Sequence, residues 1–317
     1  MPDIVTLTIN PSVDIFVNVD HVEPTRKLRC SAPNRNPGGG GINVARVVHR
    51  LGGDVAAIYP VGGALGRLLQ RLVEREGIVS IVTPSHAETR ENFTAFEEDS
   101  GEQFRFVLPG SALHRAEWEA CVERLASLEH KPKFVVASGS LPPGVPNDFF
   151  VRVLQYAKRH GAKTIVDTAG PSLKAVLEEG VTIIKPNLNE LSEFIGKPLE
   201  RDADRIAACR KLTADGHVEA VALTLGDQGA LLVTADRAWR AQPIKIDVVS
   251  TVGAGDSFLG GMVAALAAGK TLEDAFRTAV AAGSAAVLRP GTDLCQEADV
   301  NRLLPMVKID EVRKIAA

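Results

Sequence analysis

Hydrophobic and polar positions along this chain change period several times, with short β-branched runs alternating with stretches at helical spacing. Ile4 to Ile9 predicts a first strand, and Gly41 to Leu51 a helix with Val44, Val47, Val48 and Leu51 on one face. Val55 to Pro60 predicts a strand and Leu65 to Val73 a helix. Phe134 to Ala137 is apolar throughout. A turn at Pro142-Pro143-Gly144 follows, then a helix capped by Asn147 and running to Arg159. Further strands are predicted at Thr164 to Asp167, Val181 to Ile184 and Val221 to Thr224. Strands that are apolar on both faces and alternate with helices imply a parallel sheet covered by helices.

Two regions, 12–35 and 90–108, break this pattern, because their strands lack crossover helices. Phe93, Ala95, Phe104 and Phe106 recur at period two around Asp99-Ser100-Gly101-Glu102, which predicts a hairpin. A half-exposed sheet needs a cover for its apolar face. These regions are therefore expected to form a small β lid on a single α/β body spanning 1–317, with a second subunit as one candidate cover.

Composition narrows the class. The 317 residues are 45% hydrophobic and 24% charged, with a formal net charge of −3, as in ordinary globular proteins. That balance speaks against nucleic acid as a partner, since phosphate backbones need a basic surface. No apolar run is long enough to predict a membrane span. Met1 to Thr6 lacks a basic, then apolar, leader pattern. Cys30, Cys121, Cys209 and Cys295 are widely spaced and suggest neither zinc nor a disulfide framework, so a cytoplasmic setting is expected.

The strongest local signal is Ser250-Thr251-Val252-Gly253-Ala254-Gly255-Asp256-Ser257-Phe258, where a glycine turn opens an apolar helix. Amides at such a helix start favour an anion. A carboxylate would repel a phosphate there, whereas it can take the proton of an attacking hydroxyl. The plainer alternative is an acidic residue favoured at a helix N-terminus. A second glycine turn, Pro37-Gly38-Gly39-Gly40-Gly41-Ile42-Asn43, also opens a helix, with a merely flexible loop as its alternative. Asp14, read as following the end of the first strand, would suit a polyol together with Asn43. Lys27, Arg29, Arg90 and Arg105 lie in or beside the lid segments, either as a clamp for a sugar phosphate or as solvated surface charges. In Lys185-Pro186-Asn187-Leu188-Asn189-Glu190, Glu190 is a candidate for holding Mg²⁺ through water and Lys185 for reaching a nucleotide phosphate; a capping box explains Asn187 and Glu190 equally well. Thr224 to Ala230 reads as a hairpin turn by default.

In this order, the two glycine signatures with Asn187-x-x-Glu190 between them resemble the ribokinase-like (pfkB) carbohydrate kinases, from the first strand to about residue 295. Lys27 to Cys30, Ser100 to Phe106, Ser138 to Gly144 and Ala281 to Ala286 are similar to the minor-isozyme type of bacterial 6-phosphofructokinase, as is glycine rather than lysine at position 40. The resemblance implies a Rossmann-like three-layer α/β sandwich with a β lid, often a dimer interface. It implies that Asp14, Gly39, Gly40 and Asn43 hold the sugar, and Arg90 and Ser140 its phosphate, with Lys27 reaching a site shared in a homodimer. Lys185, Asn187, Thr224, Gly226, Gly229 and Thr251 would line the ATP site, and Glu190 would manage Mg²⁺. Gly253, Ala254 and Gly255 would form the anion hole and Asp256 the base. Backbone groups at Ser250, Val252, Ala286 and Gly291 would hold a monovalent cation such as K⁺, although Arg289 and Asp293 depart from the Asn and Arg expected there. The implied activity is ATP-dependent phosphorylation of fructose 6-phosphate. The alternatives are a kinase for tagatose 6-phosphate, fructose 1-phosphate or another ketose, and a non-catalytic sugar-phosphate sensor.

Overall fold

The computed structural model describes residues 2–214 and 216–312. In chain order the strands are β1 (Ile4–Leu7), β2 (Ser12–Val19), β3 (Asn34–Gly38), β4 (Val55–Val61), β5 (Val79–Pro84), β6 (Arg90–Glu97), β7 (Gln103–Val107), β8 (Phe134–Ser138), β9 (Lys163–Asp167), β10 (Val181–Ile184), β11 (Val218–Thr224), β12 (Ala230–Val233), β13 (Ala238–Ala241) and β14 (Ile309–Glu311). The helices are α1 (Gly40–Arg50), α2 (Gly63–Arg75), α3 (Arg115–Ala126), α4 (Phe149–Arg159), α5 (Gly170–Glu179), α6 (Leu188–Ile195), α7 (Asp202–Thr213), α8 (Ala254–Ala267), α9 (Leu272–Ala286) and α10 (Glu297–Leu303).

Ten strands form one sheet in the order β14-β13-β12-β11-β10-β9-β8-β1-β4-β5. From β11 to β5 every pairing is parallel, and β12 to β14 add an antiparallel edge. Alternate residues of each strand enter opposite cores. Ile4, Val136 and Ile165 meet α1, α8 and α9 on one face; Val5, Val135 and Val166 meet α3, α4, α5 and α7 on the other. This is the three-layer α/β sandwich expected. Loops after the parallel strands gather at their C-terminal ends, where open α/β sheets bind ligands.

The remaining strands make a separate four-stranded sheet, β3-β2-β6-β7. Its β6–β7 hairpin pairs Phe93 with Phe106 and Ala95 with Phe104, as the period-two pattern predicts. Its apolar face is small: Val17, Val19 and Ala95 are buried with Ile15, Phe93 and Phe104 against them. Phe106 and Val107, by contrast, are 55% and 61% exposed. Two expectations are corrected. The first strand ends at Leu7, and the chain then turns through Pro11 into the small sheet. Asp14 therefore belongs to β2, opposite Asn36 and Asn92, and not to the end of a main-sheet strand. Helix α4 starts at Phe149 with Asp148, not Asn147, at its N-cap.

Candidate active site

Two glycine loops face each other across the C-terminal ends of the parallel strands. In the first, Gly39 has φ of 109°, which only glycine adopts readily. A Cβ on Gly38 would lie 2.3 Å from an Asp14 carboxylate oxygen, so the small sheet's carboxylate rests directly on this loop. A Cβ on Gly40 would lie 2.3 Å from Ser138 Oγ, at the end of β8. One turn into α1, Asn43 donates from Nδ2 to Asp256 Oδ2 at 2.8 Å. The two signatures, 213 residues apart, thus meet through one hydrogen bond.

In the second loop, Gly253 at φ 75° caps α8, and a Cβ there would strike Leu294. The N–H groups of the first turn have no intrahelical acceptor and point out of the helix end. A Cβ on Gly255 would lie 3.4 Å from Lys185 Nζ. The Lys185 ammonium therefore lies beside the first turn of α8, where positive charge and free amides favour an anion. Asp256 sits half-buried beside it, with its pKa pushed up to about 6. Burial is the main cause and the charge of Asp167 adds to it, against the Asn43 hydrogen bond and Lys185. A carboxylate of this pKa, ionised at neutral pH and near the range of a general base, is equipped to accept a proton.

Lys185 follows β10, is 5% exposed, and pairs with Asp167 Oδ2 at 3.1 Å. Burial works against its charge, but Asp167, Asp256 and Glu190 outweigh that and hold its pKa above the ordinary value. Asp167 is a site residue that sequence reasoning missed, although a carboxylate ending a parallel strand was the available signal. Asn187 and Glu190 do form the capping box: Asn187 Oδ1 accepts from Glu190 N at 2.9 Å, and Glu190 Oε2 accepts from Asn187 N at 2.8 Å. That does not remove Glu190 from the site, because burial and Asp167 raise its pKa, as expected of a carboxylate facing other negative charge. Thr224 bridges to Asn187, and its N–H donates to Pro186 O. The hairpin turn holds Gly226 at φ 61° with open space where a side chain would be. Gly229 combines a positive φ of 91° with close packing, since a Cβ there would lie 2.3 Å from Ala241 O.

On the other side of Asp256, Asn92 donates to Asp14 Oδ1 at 2.8 Å, and Ser12 donates to the same oxygen. Arg90 donates to the carbonyls of Leu108 and Asn10, while its buried Nε has no partner among the described residues. Asn10 Nδ2 in turn donates to Ser140 Oγ at 3.0 Å. Arg90 and Ser140 are thus joined through Asn10. Arg90 and Asn10 also line a small cavity with Thr89, Ser111 and Pro142; Ser140 does not. Asn10, Ser12 and Asn92 carried no distinguishing mark in the sequence. Lys27, Arg29 and Arg105 are exposed and their side chains make no hydrogen bond or ion pair among the described residues, so the structure does not gather them with Arg90.

The loops carrying Ser250, Thr251 and Val252 and those carrying Ala286 and Gly291 are tied together. Val249 N and Ser250 N donate to Val287 O, and Ser250 Oγ approaches Gly291 O at 3.4 Å. Ala286 O accepts from Arg289 N. Arg289 turns away to pair with Asp299, and Thr251 is exposed. Among the described residues no cluster of three or more His, Cys, Asp or Glu is arranged to hold a metal directly.

Comparison with known proteins agrees with this geometry. The family model of the pfkB family carbohydrate kinases matches residues 7–299. The ATP-dependent 6-phosphofructokinase isozyme 2 of Mycobacterium tuberculosis is 44% identical over 305 residues, 96% of this chain and 90% of that protein. Among solved structures, phosphofructokinase-2 from Escherichia coli in complex with potassium aligns at 40% identity with a TM-score of 0.91, covering 96% of this chain and 99% of that one. The same enzyme in complex with fructose-6-phosphate aligns at 39% identity and 0.90, with the same coverage. A family match running from the first strand into α10, and spanning both glycine loops, means that this chain belongs to the pfkB family of carbohydrate kinases.

Proposed function

We propose that this protein transfers the γ-phosphoryl group of ATP to the 1-hydroxyl of fructose 6-phosphate, with Asp256 as the base. The observation that carries this is the position of Asp256. It lies near the Lys185 ammonium at the first turn of α8 on one side and near Asp14, whose charge also acts on Arg90, on the other. The 44% identical relative named as a 6-phosphofructokinase, and the fructose-6-phosphate complex of the Escherichia coli enzyme, support this choice of sugar over its isomers.

Asp14, held by Ser12 and Asn92, would accept sugar hydroxyls, and Asn43 with the Gly39–Gly40 backbone would line the ring. Arg90 brings an unmet buried donor and Ser140 a hydroxyl to the 6-phosphate. Asp256 accepts the proton of the attacking hydroxyl through the oxygen not bonded to Asn43. The amides of Gly253, Ala254 and Gly255 and the Lys185 ammonium neutralise charge on the transferring group. Asn187, Thr224, Gly226, Gly229 and Thr251 would border the nucleotide. Glu190 and Asp167, close enough for the charge of one to act on the other, offer hard oxygen ligands that would suit a Mg²⁺ ion held through water. When bound, that ion neutralises the nucleotide phosphates. The paired loops at Ser250, Val252, Ala286 and Gly291 would hold a K⁺ ion through their backbone groups; a potassium complex of the Escherichia coli relative supports K⁺ as a ligand, not this location.

The small sheet would act as the lid of a single kinase domain, and its exposed Phe106, Val107 and Leu108 suit a second copy of the chain. A panel of sugars and sugar phosphates with ATP and Mg²⁺ tests the substrate. Fructose 6-phosphate should give the highest kcat/KM and a 1,6-bisphosphate product. A clear preference for tagatose 6-phosphate or an unphosphorylated ketose would overturn the assignment.

A further inference from the structure

Arg46, on α1, is 1% exposed, although an arginine is among the least favoured residues to bury. Its guanidinium is spread over four acceptors: Nε donates to Glu76 Oε1 at 2.7 Å, and NH1 faces Pro37 O at 3.1 Å, Thr292 O at 3.2 Å and Asn43 Oδ1 at 3.3 Å. Glu76 is the C-cap of α2, and its second oxygen accepts from Arg50, which also holds the carbonyls of Asp293 and Cys295. A buried ion pair of this kind usually adds little stability over an apolar pair of similar size. What an apolar pair cannot provide is direction.

We propose that Arg46 is a positioning residue for the catalytic pair. It fixes the carboxamide of Asn43 so that Nδ2 is always turned to Asp256. A guanidinium can only donate, so the Asn43 atom facing it must be the carbonyl oxygen. The amide then points at Asp256 Oδ2 at 2.8 Å and leaves the other carboxylate oxygen for the substrate hydroxyl. The same guanidinium reaches the first glycine loop through Pro37 and, through Thr292, the segment in which Leu294 sits at φ 46° against Gly253. Both glycine loops are thereby referenced to one rigid group.

This inference rests on the phosphoryl-transfer proposal, and a double-mutant cycle separates the two. Arg46→Lys keeps the charge but cannot reach Glu76 and Asn43 together. It should lower kcat about tenfold, the worth of one buried hydrogen bond, with the KM for sugar phosphate little changed. Because the Asn43 hydrogen bond lowers the pKa of Asp256, its loss should move the acid limb of the kcat–pH profile to higher pH. In an Asn43→Ala background, Arg46→Lys should cost less than about twofold, since residues acting through one another are not additive. If Arg46→Lys gives no folded protein, the cycle is run with Glu76→Gln, which loosens the guanidinium without removing it and should show the same dependence on Asn43. An additive cycle, or an acid limb that stays in place, overturns the inference while leaving the kinase proposal intact. Absence of transfer to any sugar by the unmodified enzyme overturns the kinase proposal itself.

Discussion

Replacing Asp256 with Asn should make the folded protein more stable at neutral pH while removing its base. Folding raises the Asp256 pKa from 3.8 to about 6, so the native state disfavours the ionised form. For a carboxyl raised on folding, the destabilisation is complete above pH 6 and disappears as pH falls below 3.8. Two pKa units correspond to roughly 3 kcal/mol, an upper bound for a half-buried group that retains some hydration. Asn43 Nδ2 can still donate to the amide oxygen of an Asn, and Lys185 keeps Asp167 at 3.1 Å, so the variant leaves no donor stranded. We expect Asp256→Asn to gain about 1–3 kcal/mol at pH 8, or a few degrees in the unfolding midpoint, and almost nothing at pH 4. Urea unfolding of both proteins at the two pH values measures the difference directly. A loss of stability at pH 8, or an equal gain at both, would refute the reasoning. In the unmodified enzyme, the same pKa leaves about one carboxylate in ten ionised at pH 5, so kcat should fall about tenfold there from its neutral plateau.

Three other outcomes follow from the geometry. Arg90→Ala should raise the KM for fructose 6-phosphate by about 10- to 100-fold with little change in kcat, as for loss of a charged hydrogen bond made equally to ground and transition states; steady-state kinetics with a phosphorylated and an unphosphorylated ketose separates this from a general defect. Gly40→Ala would place a Cβ 2.3 Å from Ser138 Oγ and 3.0 Å from the Ser138 carbonyl carbon, and should lower stability by about 1–3 kcal/mol in urea unfolding while weakening sugar binding. Phe106→Glu should lower the oligomeric mass seen by light scattering if the exposed edge of the small sheet meets a second copy.

The elements legible in the sequence were those whose signals are local. Phe134 to Ala137, apolar at every position, and Val181 to Ile184, apolar but for Thr182, announced buried parallel strands, and both glycine turns announced helix starts. Helix α7 was not foreseen, because its residues carry almost no amphipathic stripe although Ile206, Ala208 and Cys209 are buried. Asp14 was legible as a candidate carboxylate but not in its place, since the turn at Pro11 that carries the chain into the second sheet changes no hydrophobic pattern. Asp167 and Arg46 stayed hidden because their meaning comes from partners distant in sequence: Lys185 for one, Glu76 and Thr292 for the other. Glu190 was the reverse case. Its capping role could be read locally, and only the folded surroundings of Asp167 and Lys185 show that the same carboxylate also faces the cleft.

Everything proposed about mechanism turns on Asp256 taking the proton of the sugar hydroxyl. The direct measurement is the turnover of Asp256→Asn with fructose 6-phosphate, ATP and Mg²⁺, alongside its affinity for ATP. The variant should lose phosphoryl transfer by about 10²- to 10⁴-fold, the usual worth of a general base, with ATP binding within a few-fold of the unmodified enzyme. Turnover within a factor of a few of the unmodified enzyme would contradict the assignment.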